Sequence, residues 1–318
     1  MMRVYMEISM TTTRALILST ILVTAPIVAV AQVPIPAGAE AVSLFGQPLF
    51  AAELSESVRM GHLARLEEAR QLVYANPRDA DALIWFGRRT AYLGRYRDAI
   101  AIFSTGIALH PNDARMYRHR GHRWISVREF DRAIADFDRA VELVRGKPDE
   151  VEPDGLPNAR GIPTSTLQSN IWYHLALAHY LKGDFGTALP LWQEDVKRST
   201  NPDMRVASTY WLYMTLRRLG RNAEAAQALA PITADMDIIE NTAYHRLLLL
   251  NKGVLSEADF GSSGDALQDA SAGYGLGNWH FYNGRVERAR EVWRGVLAGG
   301  NWASFGYIAA EAEMARAR

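Results

Sequence analysis

One short stretch of the chain concentrates the side chains that bind anions and exchange protons. It runs Arg115-Met-Tyr-Arg118-His119-Arg120-Gly121-His122-Arg123. Four of its residues stand at i, i+3, i+4 and i+7, and so share one face of a helix: Arg115, Arg118, His119 and His122. Guanidinium groups pair with carboxylates, so the pattern predicts an anion site. A solvated charged face is the other interpretation that such a run of charge permits.

The local charge favours the anion site. Residues 80–146 carry 12 Arg against 8 Asp plus Glu, net +4, in a chain whose formal net charge is zero. Like charges on one helix face repel by a few tenths of a kcal/mol per pair, and an internal carboxylate or a bound anion would offset this. We also expect His119 and His122 to add positive charge below about pH 6.5, so that anion binding tightens on acidification.

The same histidines permit two other kinds of chemistry. His119 and His122 have a spacing that can ligate a metal together with His174, but the flanking arginines repel a cation. His119 or His174 would also suit a general acid or base. The chain has no His-Glu-x-x-His, Gly-x-Ser-x-Gly or P-loop motif. We therefore expect no metal, no cofactor and no catalytic residue, and the alternative is an enzyme acting on an anionic glycan or peptide.

Composition excludes several classes of protein. The 318 residues include 35 Lys plus Arg and 35 Asp plus Glu, a balance that argues against a protein that coats nucleic acid. The absence of cysteine excludes a disulfide framework, a thiolate zinc site and a cysteine nucleophile. A hydrophobic content of 48% is too high for general disorder.

The first 31 residues have the pattern of a signal peptide. An apolar run, residues 15–31, ends in Ala29-Val30-Ala31, the small residues at alternate positions that signal peptidase accepts. A membrane anchor is the alternative, but the run is short for a bilayer and Pro26 interrupts it. We therefore predict cleavage after Ala31 and a periplasmic or secreted protein.

A repeat organises the region around the basic stretch. Three pairs of landmarks lie 34 residues apart: Gly87 and Gly121, Ala99 and Ala133, Phe103 and Phe137. Within each half-unit the landmarks are three or four residues apart, which predicts helices, and Gly94-Arg-Tyr96 interrupts the pattern midway. Each unit is therefore predicted to be a helix, a tight turn and a second helix, with small residues at the close contact.

This pattern resembles the tetratricopeptide repeat (TPR), whose motif is Trp-x2-Leu-Gly-x2-Tyr, then Ala-x3-Phe, then Pro. A third unit matches between Trp172 and Pro202, a fourth is weaker around Gly220, and residues 276–293 restore the motif. The resemblance implies an all-α fold, an α-solenoid in which helical hairpins form a right-handed superhelix. It also implies that the first helix of each unit lines a concave groove.

The resemblance places further residues on that groove. Arg88 occupies the equivalent face one unit before the basic stretch, and Tyr173 and His174 occupy it one unit later. The predicted ligand-binding residues are therefore Arg88, Arg115, Arg118, His119, His122, Tyr173 and His174.

The predicted organisation has five parts. After the signal peptide come an extended lead or linker at 32–55 and an N-terminal helix with two regular units at 56–146. A Pro-rich acidic insertion at 147–168 cannot be helical and is long enough to form a flap over the groove. Residues 169–318 hold three to four further, partly degenerate units and a C-terminal capping helix.

These observations predict an exported, cell-envelope scaffold rather than an enzyme. It would bind an extended protein or peptide segment in a basic, aromatic groove. The predicted partner carries an acidic or carboxylate-bearing segment, and we expect no nucleic-acid partner and no stable membrane span after cleavage.

Overall fold

The computed structural model of the chain describes residues 35–317, and the predicted signal peptide lies outside them. Within that range the structure has thirteen α-helices, one 3-10 turn and one antiparallel pair of strands, β1 (Ala39–Val42) and β2 (Pro48–Phe50). The helices are α1 (Glu56–Ala75), α2 (Ala80–Tyr92), α3 (Tyr96–Leu109), α4 (Ala114–Ser126), α5 (Phe130–Val144), α6 (Leu167–Lys182), α7 (Phe185–Arg198), α8 (Pro202–Arg218), α9 (Asn222–Ala228), α10 (Thr242–Asn251), α11 (Ala266–Tyr282), α12 (Val286–Leu297) and α13 (Phe305–Arg316). None of these helices is both long enough and apolar enough to cross a membrane.

The helices pair as consecutive hairpins, which confirms the predicted α-solenoid fold class. Helices α2–α3, α4–α5, α6–α7, α8–α9 and α11–α12 each pack together across a short turn. The first helices of neighbouring hairpins also touch, since α4 contacts α2 and α6, and α8 contacts α6 and α10. After α10 a 3-10 turn at Glu257–Asp259 stands in place of a second helix.

In three of the hairpins a glycine on the first helix packs against a ring on the second helix. A Cβ added to Gly87 would lie 2.5 Å from the Phe103 ring, and one added to Gly121 would lie 2.8 Å from Phe137. In the later hairpin a Cβ on Gly277 would lie 2.2 Å from Nε1 of Trp293. Each ring follows its glycine by 16 residues in the sequence. The same spacing therefore produces the same close contact between the two helices of each of these hairpins.

Side-chain caps determine where the first helices begin. The carboxylate of Asp79 accepts a hydrogen bond from the Ala82 amide at the start of α2, and that of Asp113 accepts from the Arg115 amide at the start of α4. Thr166 and Ser169 form a reciprocal capping box at the start of α6. Because the caps fix the first residue of α4 and of α6, they also determine which side chains of these helices lie on the same face.

The two ends of the described chain meet beside the turn between α4 and α5. The Leu44 amide after β1 donates to Oε1 of Glu311 in α13 at 2.6 Å. The Trp302 indole donates to the Phe50 carbonyl oxygen of β2, also at 2.6 Å. Helix α13 further packs against α6, α11 and α12, so it covers part of the face formed by the first helices.

Candidate functional site

Two cavities lie on either side of α4, one between α2 and α4 and the other between α4 and α6. The smaller, of about 110 Å³, has Arg88 and His119 in its wall, and the larger, of about 320 Å³, has Tyr173 and His174. Arg118 and His122 belong to the walls of both. The structure therefore brings together six of the predicted site residues: Arg88, Arg118, His119, His122, Tyr173 and His174.

Arg115 is the predicted site residue that lines neither cavity. Its Nη1 lies 2.6 Å from Oδ1 of Asp81 and its Nη2 lies 2.6 Å from Oδ2 of Asp113. Hydrogen bonds to Asp113 raise the pKa of Arg115 further above its ordinary value. The i, i+3, i+4, i+7 spacing placed Arg115 with the others, but the capping residue of the same helix holds its guanidinium at the first turn.

The carboxylate of Glu152 occupies the centre of the basic face. Its Oε2 lies 2.9 Å from Nε of Arg118, with both side chains about nine-tenths buried, and accepts from Nδ2 of Asn170 at 3.1 Å. Nε2 of His119 is 3.9 Å from the other oxygen, Oε1. An internal carboxylate thus offsets part of the charge that the sequence concentrates on α4.

The insertion that carries Glu152 lies against α2. Arg88 donates to the Pro153 carbonyl oxygen at 2.8 Å, and Arg89 donates to the Gly155 carbonyl oxygen at 2.7 Å. A Cβ on Gly155 would stand 1.9 Å from the Tyr92 hydroxyl oxygen, so any larger residue here would have to displace the Tyr92 side chain. Backbone hydrogen bonds between residues 150–152 and 165–167 close the base of the segment.

The histidines of the site are neutral at ordinary pH. Burial, with added repulsion from Arg118, lowers the pKa of His119 and His174 well below 6.5, and burial and Arg123 do the same for His122. Consistent with this, Nη1 of Arg118 donates to Nδ1 of His119 at 3.1 Å. The expectation that His119 and His122 add positive charge below about pH 6.5 is therefore wrong, because buried imidazoles beside arginines resist protonation.

The smaller cavity holds more cations than carboxylates. Arg88, Arg118 and Arg123 line it, and among the described residues Glu152 is the one carboxylate in its wall. Arg123 has no hydrogen-bonded or ion-paired partner among the described residues, and its guanidinium lies 5.6 Å from the centre of the Tyr96 ring. Burial lowers the pKa of Arg123 to about 10, so the group stays charged at neutral pH.

The larger cavity is lined by acceptors and aromatic rings. Its wall draws on α4, α6, α7, α8, α10 and α11, on the insertion, and on Phe305 at the start of α13. Nδ1 of His174 donates to the Asn170 carbonyl oxygen at 2.5 Å, which leaves Nε2 of the neutral ring as an acceptor. The Trp211 indole donates to the Tyr173 hydroxyl at 2.6 Å, and that hydroxyl reaches the Tyr244 hydroxyl at 3.4 Å.

Asp195 on α7 lines the same cavity. Oδ2 accepts from the Ser208 hydroxyl at 2.6 Å, whereas Oδ1 has no hydrogen-bond partner among residues 35–317. The side chain is 1% exposed, and this burial raises the pKa of Asp195 to about 7, although the Ser208 hydrogen bond and Arg198 oppose the shift. A carboxyl group in this state can give or take a proton near neutral pH.

Sequence analysis missed several of these groups. Arg123 lies in the basic stretch but off its i, i+3, i+4, i+7 face, and Glu152 lies in the acidic insertion, where no periodic pattern marks it. The spacing does mark Asp195: Ala188, Trp192 and Asp195 stand at i, i+4 and i+7, so an acidic residue lies on the buried face of α7. No group of three or more His, Asp or Glu within residues 35–317 is arranged to hold a metal ion.

The chain resembles known proteins only at the level of solved three-dimensional structures. No family model matches the chain, and neither does any curated protein. The crystal structure of YrrB, described as a TPR protein with an unusual peptide-binding site, superposes with 17% identity and TM-score 0.41, over 73% of this chain and 92% of that one. Naa15/Naa10 bound to HypK-THB gives 15% identity and TM-score 0.36, over 76% of this chain and 36% of that one.

A third structure, the Cut9–Hcn1 hetero-tetramer of the APC/C, gives 14% identity and TM-score 0.33, over 81% of this chain and 49% of that one. The chain thus spans about a third and about half of the lengths of the Naa15/Naa10 and Cut9–Hcn1 chains that it matches. The TPR-like description of the fold rests on the paired helices and the repeated glycine–ring contacts of this chain.

Proposed function

We propose that the chain is a TPR-like scaffold that binds a short segment of a partner protein at the two cavities between its first helices. The observation that carries the proposal is the charge of the smaller cavity, where Arg88, Arg118 and Arg123 surround one carboxylate. An arginine without a counterion is costly to bury, and a ligand carboxylate would supply the missing partner. The larger cavity, which shares Arg118 and His122, has the volume for one or two side chains of the same segment.

The insertion restricts which kinds of peptide segment could reach the cavities. Glu152 already holds Arg118, and the insertion backbone covers part of α2, so an extended peptide along the whole face would have to displace the insertion. A chain end or a tight turn bearing an Asp or Glu side chain reaches Arg123 without doing so. The proposed partner is therefore a protein with an accessible acidic residue, encountered in the cell envelope if the N-terminal segment directs export.

The test is selection of peptides from a random heptapeptide library on the purified protein, followed by affinity measurements with matched variants. Arg123→Met should weaken binding of the selected acidic peptides about tenfold or more, because charge-assisted hydrogen bonds contribute about 1.5–3 kcal/mol. Arg115→Met, which removes the same charge from the same helix outside both cavities, should leave affinity unchanged. Rising salt should weaken binding to the wild type. Failure to select any peptide, or equal affinity of the two variants, would refute the proposal.

An enzyme acting on an anionic glycan or peptide is the second candidate, and one observation favours it. Asp195, with its pKa near 7, and the unprotonated Nε2 of His174 belong to one cavity, which pairs a possible proton donor with an acceptor. Incubation with peptidoglycan fragments and with the selected peptides, followed by mass spectrometry, tests this candidate. Turnover that is lost in His174→Gln would support it, and unchanged substrates would exclude it for these compounds.

A further inference from the structure

We propose that the larger cavity is a second subsite that binds a cation, the ammonium or guanidinium group of a basic side chain on the partner. The inference deepens the proposed function and rests on it. It assigns a basic residue to the same segment whose acidic residue occupies the smaller cavity. The expected ligand therefore carries both charges, whereas the sequence pattern predicted an acidic segment alone.

Two carboxylates line the larger cavity, and neither has a cationic partner within the described residues. Oδ1 of Asp195 has no hydrogen-bond partner in the part of the chain that the structure describes, although the side chain is 1% exposed. Glu240 accepts from Nδ2 of Asn158 at 2.7 Å and from the Thr164 hydroxyl at 2.5 Å, both neutral donors. A buried carboxylate without a counterion is costly, so the arrangement is suited to a cation that arrives with a ligand.

The cation in the cavity wall and the cation that acts on Asp195 are already paired with other carboxylates. Arg118 in the cavity wall is paired with Glu152, and Arg198, which acts on Asp195 from its own helix, is paired with Glu194 at 2.8 Å. The titratable or charged groups that share the cavity with Asp195 are Arg118, His122, Tyr173, His174, Glu240 and Tyr244. The two histidines are neutral, because burial and neighbouring arginines lower their pKa values, so the free charge of the cavity is negative once Asp195 ionises.

The remaining wall also suits a basic side chain. Nε2 of His174 is an acceptor for an N–H donor, while the rings of Tyr173, Tyr244 and Phe305 offer apolar surface for an alkyl chain and faces for a cation. A Lys or Arg side chain would place its methylene groups against these rings and its charged end toward Asp195. The volume of about 320 Å³ accommodates one such side chain with space for water.

The experiment uses n-butylammonium chloride as the cationic probe, n-butanol as its uncharged counterpart and sodium butyrate as the anionic probe. Binding to the intact protein is followed by NMR, with the tryptophan indole N–H signals as reporters, since the Trp211 indole hydrogen-bonds to Tyr173 at the cavity wall. We expect n-butylammonium to bind about tenfold more tightly than n-butanol. Asp195→Asn should reduce its affinity about tenfold, and Asp237→Asn, which removes an exposed carboxylate paired with Arg160 outside the cavity, should leave it unchanged.

Two further measurements keep the test decisive. If Asp195→Asn fails to fold, Glu240→Gln takes its place with the same expected direction. Because Asp195 must ionise to hold a cation, n-butylammonium should bind about tenfold more tightly at pH 8 than at pH 6. Equal binding of the ammonium and the alcohol, or no effect of either variant, would overturn the inference.

The failure of the inference and the failure of the proposed function are distinguishable. Binding of butyrate that is weakened by Arg123→Met, together with no binding of n-butylammonium, would leave the proposed function standing and remove the cation subsite. Binding of n-butylammonium together with no butyrate binding and no selected peptide would keep the cation subsite and remove the proposed function.

Discussion

Arg128 and Glu311 form a buried ion pair between the turn that follows α4 and the last helix of the chain. Nε and Nη2 of Arg128 donate to one carboxylate oxygen at 3.0 and 2.7 Å, and both side chains are at most 3% exposed. Arg128 also has φ 67°, a left-handed conformation that Gly94 adopts at the equivalent turn 34 residues earlier. An arginine in this conformation costs about 1–3 kcal/mol, so the pair holds a strained turn in place as it joins the ends of the array to its middle.

Removal of one partner of this pair should destabilise the protein strongly. Arg128→Met leaves Glu311 buried without a counterion, and we expect a loss of about 3–5 kcal/mol in the free energy of unfolding measured in urea. Arg139→Met is the matched control, because Arg139 forms an exposed pair with Glu142 at 2.9 Å. The control should change stability by less than about 1 kcal/mol. Similar losses of unfolding free energy in both variants would show that the buried Arg128 pair is no more important to stability than the exposed pair.

The glycine–ring contacts provide the second prediction. Gly87→Leu and Ala133→Phe should each lower the free energy of unfolding by about 1–3 kcal/mol or more, since the first would collide with the Phe103 ring and the second adds a ring at a fully buried position. Arg139→Leu adds apolar bulk at a partly exposed site on the helix that holds Ala133 and should change little. Thermal melts of the three variants give the ranking, and the reverse order would mean that the repeat phase is incorrect.

Much of the fold was predictable because it follows from local spacing. The period of 34 residues located the helices and turns, and the glycine, alanine and phenylalanine landmarks identified the close contacts that Gly87 and Phe103 make in the structure. The closure by Arg128 and Glu311 was not predictable, because it joins residues 183 positions apart that no periodic pattern connects.

The candidate site was predictable only in part, for a related reason. The spacing on α4 located Arg118, His119 and His122, but it gave no information about which carboxylate would face them. Glu152 reaches Arg118 from an irregular segment, and Asp195 enters the larger cavity from a second helix. The protonation states depended on burial, which the sequence pattern does not quantify for a histidine that lies between arginines.

Processing at the N-terminus is the third prediction. The Ala29-Val30-Ala31 pattern predicts a mature protein that begins at Gln32, three residues before the first described residue. N-terminal sequencing of the protein recovered from the cell envelope, beside an Ala31→Tyr variant that blocks the site, provides the measurement. An intact N-terminus on wild-type protein that is embedded in the membrane would contradict the prediction.

The fourth prediction concerns Asp195 and stability. Burial raises the pKa of Asp195 to about 7 in the folded protein, so its ionisation destabilises the fold as pH rises from about 4 through 7. Asp195→Asn keeps the Ser208 contact and cannot ionise, so it should be more stable than the wild type at pH 8, by about 4 kcal/mol at most. Below about pH 4 the carboxyl is protonated in both the folded and unfolded chains, and the difference between wild type and variant should be at its smallest there. Urea unfolding at several pH values gives the comparison, and equal stability at pH 8 would show that Asp195 is not desolvated.

The last prediction concerns the buried histidines, which lower stability as pH falls, whereas Asp195 lowers it as pH rises. His119, His122 and His174 have pKa values well below 6.5 in the folded protein, so the unfolded chain binds their protons first as pH falls. Stability from these groups is complete above about pH 6.5 and is lost below it, at up to about 1.4 kcal/mol per pH unit for each histidine. Three histidines outweigh the single opposing carboxyl of Asp195, so the protein should lose stability steeply between pH 6.5 and pH 5.

The measurement combines urea unfolding at pH 7.5, 6.5 and 5.5 with NMR titration of the histidine ring protons in the folded protein. His122→Gln should reduce the net slope of stability against pH by about half, because three equivalent histidine losses are partly offset by the opposing effect of Asp195 and the variant removes one of the three. The three imidazoles should show no titration between pH 7.5 and 6 while the protein remains folded. An imidazole of this cluster with a pKa at or above 6.5 would instead require a carboxylate closer than Glu152, whose Oε1 lies 3.9 Å from Nε2 of His119. In that case the histidines would become charged on acidification, and carboxylate ligands would bind more tightly at low pH. With neutral histidines, we expect the affinity for carboxylate ligands to stay constant over the same range.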